Sequence, residues 1–338
     1  EISACLVGSE MCIRDRNTRM VSMKDIANRL QISRCTVSNI LNERFENKSY
    51  RKETIELVRA TAKEMGYVSN NMARSLKTGS TGTIAIVVPD IANYFYIKII
   101  KEVEQLANDA GYSLIICMAE EKLEKENQAL TMLQSRCVDG VLISPVSYHD
   151  SLQNNYPFKI VCFDRTVESH RFPDILIDNY EAGKTLALNM LKDNAKMPLF
   201  LAGSQEDITI LERYRGFCDA LKEYGLPLAS ERVLFGIFDE QIAYDTLCKK
   251  IKTGLSFDSV FLSTNFLIYG VMRALNETHY SVTSMGGFER FIGMDHFAKT
   301  MHIIDQHEKE IGNRAFKMLH GLLKGEEIQS ETIKSSLI

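Results

Sequence analysis

From residue 83 onward the chain alternates short, wholly apolar runs with longer amphipathic ones, and this alternation narrows the fold more than any other feature. Ile84–Val88 is an unbroken apolar run closed by Pro89, and Phe95–Ala110 has helical spacing and stops at Gly111. Strand Leu114–Cys117 and helix Leu123–Ser135 repeat the unit, followed by strands Gly140–Ile143, Lys159–Phe163 and Ile175–Ile177. A second series opens with helix Tyr180–Leu191, strand Leu199–Leu201 and helices Thr209–Tyr224 and Glu240–Lys252. It continues with strand Ser259–Leu262, helix Phe266–Asn276 and strands near Val282–Met285 and His302–Ile304. Helix Lys309–Lys324 and an extended piece near Thr332–Lys334 finish it. Strands with no polar alternation are buried on both faces, which calls for helices on either side of a parallel sheet. About 255 residues of this pattern suggest two such lobes, with ligand in the cleft at the strand C-termini.

The segment before residue 83 has a different logic. Ser22 can cap a helix whose Ile26, Ala27 and Leu30 share one face, and Ser33 can cap a second whose Val37, Ile40 and Leu41 point inward. Gln31 and Ile32 leave room only for a sharp corner, so 22–42 reads as a helix-turn-helix whose second helix suits a DNA major groove. An ordinary helical hairpin is the plainer alternative for two helices taken alone. Arg34, Cys35, Thr36, Ser38 and Asn39 then lie at or near the outward, N-terminal face. A third helix, about Arg51–Met65, carries Ile55, Val58, Ala62 and Met65 on one side and ends at Gly66. Asn70–Gly79 is too short to be helical alone in water. It can fold on DNA with Leu76 as a minor-groove wedge, or serve as a plain linker.

Charge follows the same division. Residues 20–79 hold 11 Lys/Arg against 6 Asp/Glu, residues 80–338 hold 26 against 35, and residues 1–19 hold 3 against 3, for a net −4. A basic head on an acidic body suits a head that meets phosphate. Residues 1–19 have no hydrophobic period or caps and are expected to be disordered or a non-native leader, with Met20 read as the start. No apolar run reaches the roughly 18 residues that span a membrane. No stretch reads as a secretory signal, and the eight cysteines have no paired spacing. A cytoplasmic protein is expected, with no membrane partner.

Set side by side, these motifs resemble one family. They are Lys24-Asp25-Ile26-Ala27, Thr36-Val37-Ser38-Asn39-Ile40-Leu41-Asn42, Gly66-Tyr67, Ala73-Arg74-Ser75-Leu76 and Thr81-Gly82-Thr83-Ile84. They continue with Val88-Pro89-Asp90-Ile91, Val138-Asp139-Gly140, Phe163-Asp164-Arg165, Asp178-Asn179, Arg213 with Gly216-Phe217, and Ile304-Asp305-Gln306. In order and spacing, over residues 20–338, the chain is similar to the lactose-repressor (LacI/GalR) family of bacterial transcription regulators. The resemblance implies an α/β fold: a three-helix DNA-binding head (20–69), a hinge helix and linker (70–82), and a two-lobed, periplasmic-binding-protein-like effector and dimerisation domain (83–338). It places lobe 1 at about 83–180 and 305–325, and lobe 2 at about 181–304 and 326–338. It further implies a homodimer that binds operator DNA at the nucleoid and is controlled by a sugar or sugar acid.

Family roles carry over by position. In the head, Arg34, Cys35 and Asn39 correspond to base readers, and Ser33, Thr36 and Ser38 to phosphate or support contacts. Asn71, Ala73, Leu76 and Lys77 correspond to the minor-groove segment. Many relatives have Arg at the Asn39 position; Arg favours guanine and Asn adenine, so the operator is expected to differ there. In the cleft, Phe95, Tyr96, Asp164, Arg213, Phe238, Asn265 and Glu289 are the expected ligand contacts. Phe95 and Phe238 can equally be core residues, and Arg213 a salt-bridge partner. The chain departs from the family pattern at Phe266, at Glu289-Arg290 and at His307 after Gln306. The Asn-Glu-Arg-Phe segment after Leu41 and the overall pattern are similar to a sugar-acid (ketodeoxygluconate-type) repressor subgroup.

Nothing in the sequence calls for catalysis or a cofactor. The seven histidines show no HExxH or zinc spacing, there is no CxxC pair, and neither a GxSxG elbow nor a GxxxxGK[ST] loop occurs. No metal and no enzymatic activity are expected.

Overall fold

The computed structural model describes residues 21–42, 50–67, 79–149, 152, 155–290 and 300–338. The expectations for residues 1–19 and for the hinge contacts Asn71, Ala73, Leu76 and Lys77 lie outside them. The chain divides into two compact units, Glu1–Lys77 and Thr78–Ile338.

In the first unit, helices α1 (Met23–Leu30), α2 (Arg34–Leu41) and α3 (Lys52–Glu64) close on one small core of Ile26, Ala27, Val37, Ile40, Val58 and Ala62. Ser22 caps α1 reciprocally with Asp25: the Asp25 amide donates to Ser22 Oγ, and the Ser22 amide donates to Asp25 Oδ2 at 2.8 Å. Gln31 takes a left-handed φ of 52°, which turns the chain between helices, and Ser33 Oγ then accepts from the Thr36 amide at 3.0 Å to start α2. At the end of α3, Gly66 sits at φ 67° while the Tyr67 amide reaches back to the Ala62 carbonyl.

The second unit holds two six-stranded sheets. The first takes β1 (Thr83–Val88), β2 (Ser113–Met118), β3 (Gly140–Ile143), β4 (Lys159–Phe163), β5 (Asp174–Ile177) and β11 (Glu331–Ile333) in the order β11-β5-β4-β3-β1-β2, all parallel. The second takes β6 (Pro198–Leu201), β7 (Val233–Leu234), β8 (Ser259–Leu262), β9 (Ser284–Phe288), β10 (Thr300–Asp305) and β12 (Ser336–Leu337) in the order β12-β10-β9-β8-β6-β7. Only β12 runs antiparallel. Helices α4 (Tyr94–Asp109), α5 (Leu123–Ser135) and α10 (Glu308–Leu323) belong to the first sheet; α6 (Asn179–Lys192), α7 (Ile208–Glu223), α8 (Glu240–Lys252) and α9 (Ile268–Glu277) belong to the second.

The unbroken apolar runs have their reason in the alternation of side chains along a strand. Ile84, Ile86 and Val88 of β1 enter one core cluster with Ile99 and Leu319, while Ala85 and Val87 enter another with Leu130 and Leu133. In the second sheet Leu199 and Leu201 face one cluster and Phe200 the other. Both faces are covered, so neither can be polar.

Two expectations need correction. The chain from 326 onward was assigned to the second lobe, but Glu331–Ile333 pair with Ile175–Ile177 at the edge of the first sheet. The last crossing therefore falls at Lys334–Ser335, and only β12 returns to the second sheet. The strand expected near Val282–Met285 runs instead from Ser284 to Phe288. Its two central glycines hid it, yet Gly286 is bare because a Cβ there would come within 2.5 Å of Met190 Sδ. The two-residue strands β7 and β12 carry too little pattern to be read.

The three crossings are bonded to one another. Asp178 Oδ1 accepts from the Ser335 amide at 2.8 Å, and His307 Nε2 lies 3.2 Å from Ser336 Oγ. Beside them α6 and α7 touch backbone to backbone. A Cβ on Gly216 would collide with the Tyr180 carbonyl and stand 2.6 Å from the Lys184 nitrogen, and one on Gly183 would meet the Arg213 backbone. Backbone cannot yield as a side chain does. Gly216→Ala is therefore expected to lower stability by about 1–3 kcal/mol or more, as forced overpacking does, measured by denaturant unfolding; an unchanged midpoint would mean the helices separate freely.

Candidate functional site

The two sheets face each other across a cavity of about 850 Å³ at the C-terminal ends of their strands. The ends of β1, β4, β6, β8, β9 and β10 and the segments that follow them contribute, among others, Tyr96, Asp164, Asp207, Asn265, Phe288 and Gln306. This is where parallel α/β sheets place ligands, because the strand ends and the following helix N-termini converge there. A smaller cavity of about 220 Å³ shares Asp164 and Thr209 with it and runs along the start of α6. Among the described residues no group of three or more His, Cys, Asp or Glu is placed to hold a metal.

Arg213 ties several elements together. It is buried, and its Nε donates to Asn179 Oδ1 at 2.8 Å, Nη1 to the Ser263 carbonyl at 2.6 Å and Nη2 to Gln306 Oε1 at 2.6 Å. The guanidinium lies 3.6 Å from the centre of the Phe288 ring. Burial pulls its pKa down to about 10, with the Asp164 and Asp207 carboxylates resisting, so it remains charged at neutral pH. Close helix packing at Gly183 fixes its backbone.

Asp164 stands at the floor of the cavity with φ 62°. Its Oδ2 accepts from Tyr96 OH at 2.8 Å and lies 3.4 Å from Ser144 Oγ. Burial raises its carboxyl above the usual range, although the Arg165 charge and the Tyr96 hydroxyl pull the other way. Burial, reinforced by Asp164, likewise lifts the Tyr96 hydroxyl well above its ordinary value, so it stays a donor.

Two ion pairs bridge the lobes. Arg165, which follows Asp164, reaches Asp207 at the N-terminus of α7 at 2.9 Å while Glu121 grips its other face at 2.8 and 2.9 Å. Burial alone would lower the Arg165 pKa, but the carboxylates outweigh it and hold it well above the ordinary value. Lys98 on α4 lies 3.5 Å from Glu289 beyond β9.

Most of the expected contacts converge. Phe95, Tyr96, Asp164, Arg213, Phe238 and Asn265 all line the cavity. Phe95 and Tyr96 are core residues as well, packed edge to face at 5.2 Å, whereas Phe238 is 58% exposed at the mouth. Glu289 is a correction. It does not line the cavity: its carboxylate is buried one layer behind, where Oε2 accepts from Asn265 Nδ2 at 2.5 Å. Its role is to orient Asn265. Arg213 is also more than a ligand grip, since Nε, Nη1 and Nη2 each already serve a protein acceptor. Sequence reasoning missed Arg165 as a contact, although it named the Asp164-Arg165 pair, and it missed Asp207, Thr209, Tyr269 and Gln306. The cap pattern Asp207-x-Thr209 was visible; its pairing across the cleft was not.

In the head, Ser33, Arg34 and Cys35 are exposed and Thr36, Ser38 and Asn39 half-buried. Thr36 Oγ1 lies 2.8 Å from Ser33 Oγ. Asn39 is already engaged: its Nδ2 donates to Tyr50 OH at 2.9 Å and lies 3.9 Å from Cys35 Sγ. Ser38 accepts from Asn42 Nδ2 through its carbonyl at 2.7 Å.

Residues 81–338 match the model of the periplasmic binding proteins and sugar-binding domain of the LacI family, and the chain belongs to that family. It is 27% identical to the HTH-type transcriptional regulator RegA of Clostridium saccharobutylicum, over 91% of this chain and 94% of that protein. To the HTH-type transcriptional repressor PurR of Mannheimia succiniciproducens it is 27% identical, over 93% and 96%. Its fold matches the lac repressor dimer solved with operator and the anti-inducer ONPF, with a TM-score of 0.80 at 18% identity over 95% of this chain and 98% of that one.

Two outcomes follow from this geometry. Because the Asp164 carboxyl binds its proton more tightly folded than unfolded, its share of stability is present at acid pH and lost as pH rises through the raised folded value. Asp164→Asn, which keeps a residue tolerant of positive φ, is expected to raise Tm at neutral pH. The gain is roughly 2–4 °C if it is worth about 1 kcal/mol; a lower Tm at neutral pH would show that the charged form is the favoured one. Asp207→Asn keeps an oxygen for the Thr209 amide but removes the charge facing Arg165. A double-mutant cycle with Arg165→Gln should give a coupling of about 1 kcal/mol or more, above the few tenths of many exposed pairs; zero coupling would make the contact incidental.

Proposed function

We propose that this LacI-family regulator represses carbohydrate-related genes, binding operator DNA through residues 20–69 and a sugar-like effector in the cleft of residues 83–338. The observation that carries this reading is the presence in one chain of a capped helix-turn-helix and a two-sheet cleft, two of whose three lobe crossings meet at Arg213. Arg34, Cys35 and Asn39 read bases in the major groove; Ser33, Thr36 and Ser38 hold the phosphates or support the readers. Asn71, Ala73, Leu76 and Lys77 enter the minor groove. To read adenine through both amide atoms, Asn39 keeps Tyr50 on one N–H and gives up the weak sulfur contact with the other.

Effector binding favours one lobe arrangement over the other, and that preference is the whole of the signal available to the heads. In the cleft, aromatic faces such as Phe238 take sugar C–H surfaces while Asp164, Asn265 and Arg213 address hydroxyls. The working unit is a homodimer in the bacterial cytoplasm, at the nucleoid. Supporting this, edge strand β2 exposes Ile116 and Met118, close in the chain to exposed Leu123 at the start of α5, and Ile97 of α4 is exposed as well. Apolar side chains on a sheet edge invite a second chain. Among the described residues no helix is long and apolar enough to cross a membrane.

Selection from a randomised DNA library tests the reading. A two-fold symmetric site should emerge, bound with an affinity that drops at least about 100-fold between 50 and 200 mM salt as phosphate counterions are released. Asn39→Arg should change the selected base at one position per half-site more than it changes nonspecific affinity. No enriched site, with salt-insensitive binding, would remove the DNA-binding role.

A further inference from the structure

The cleft also carries information about the charge of what it binds, and this rests on the sugar-effector reading above. Among the described residues, eight carboxylate side chains line the cavity against three arginines, a formal excess of five negative charges. One of those arginines is already spent on carboxylates, and a second is partly engaged. Arg165 is held by Glu121 and Asp207, and its remaining Nε is buried without a partner, out of reach of any ligand. Arg213 has one N–H of each nitrogen on a neutral protein oxygen, and its charge is already countered by the nearby Asp164 and Asp207 carboxylates. The third, Arg290, is exposed at the rim. At the floor stands Asp164, more than nine-tenths buried, an acceptor with only Oδ2 engaged by the bonds described above. Around this sit exposed aromatic faces: Phe238 and Tyr269 from the second lobe, Tyr94 from the first. Half-buried Phe266 also lines the cavity.

We propose that the cleft selects an uncharged polyhydroxylated ligand, tolerates an ammonium in place of a hydroxyl, and excludes carboxylated or phosphorylated sugars. A hydroxyl or ammonium donates to Asp164 without disturbing the two arginines. A carboxylate entering the same space would face Asp164 and Asp207 in a partly desolvated site. The cations it could meet inside the cleft are already countered, Arg165 by Glu121 and Asp207 and Arg213 by Asp164 and Asp207. The similarity to sugar-acid repressors points the other way, and 2-keto-3-deoxygluconate is therefore among the probes.

The test uses the full chain in calorimetry near neutral pH and low salt, with matched probes on one scaffold. These are D-glucose, D-glucosamine, D-glucuronate and D-glucose 6-phosphate, the same four forms of D-galactose, and 2-keto-3-deoxygluconate. The expected result is a neutral or amino member that binds at least about 100-fold tighter than its anionic counterparts, the scale of one close like-charge contact. Asp164→Asn should then weaken the neutral sugar and narrow its margin over the matching uronate. Equal or tighter binding of any acid or phosphate overturns the charge inference and leaves the sugar reading standing. Rejection of anions that Asp164→Asn does not relax overturns it too, because shape and not charge would be responsible. If no probe of any charge binds, the sugar-effector reading itself fails and takes this inference with it.

Discussion

The second unit depends on one buried guanidinium. Arg213 bonds the first residue of α6, the loop after β8 and the β10–α10 crossing at once, with Phe288 beneath it. Asn179 and Gln306 stand at two of the three places where the chain passes between lobes. A rotation of one lobe on the other must either carry this cluster along or break bonds to a desolvated charge, and the second course leaves buried oxygens unpaired. The glycine contact between α6 and α7 serves the same end, because it fixes the backbone from which Arg213 extends.

Against this fixed pivot the front of the cleft is held more loosely. The Arg165–Asp207 and Lys98–Glu289 pairs join the lobes through side chains that are partly solvated on at least one side. Their strength depends on local water and charge, which a bound ligand changes. Asp164 adds a group kept in positive φ whose ionisation burial opposes. Such residues persist where the surrounding structure over-determines them, and they cluster at binding sites. A pivot that resists and a mouth that can be biased make the kind of two-state element through which a small ligand can act at a distance.

Much of this was legible from the residues. The capped turn Ser22–Ser33, nearly every strand, and the cavity-lining Phe95, Tyr96, Asp164, Arg213, Phe238 and Asn265 followed from spacing or from the resemblance. The errors cluster where local signal is weakest. Gly286-Gly287 looked unlike a strand because their side chains are absent for packing reasons. β11 was given to the wrong lobe because an edge strand of three residues has no preference of its own. Glu289 was read as a contact because position along the chain does not reveal depth.

By itself the sequence determined the α/β class and the family, because periodicity, capping and motif order are properties of neighbours in the chain. Only the tertiary structure decided which charges meet. Arg165 and Asp207 lie 42 positions apart, and Arg213 and Gln306 lie 93 apart. Each pair is joined by the closing of two lobes and by no local pattern. The electrostatic character of the cleft is a sum over such pairs, so it came into view only once the chain had been folded back across itself three times.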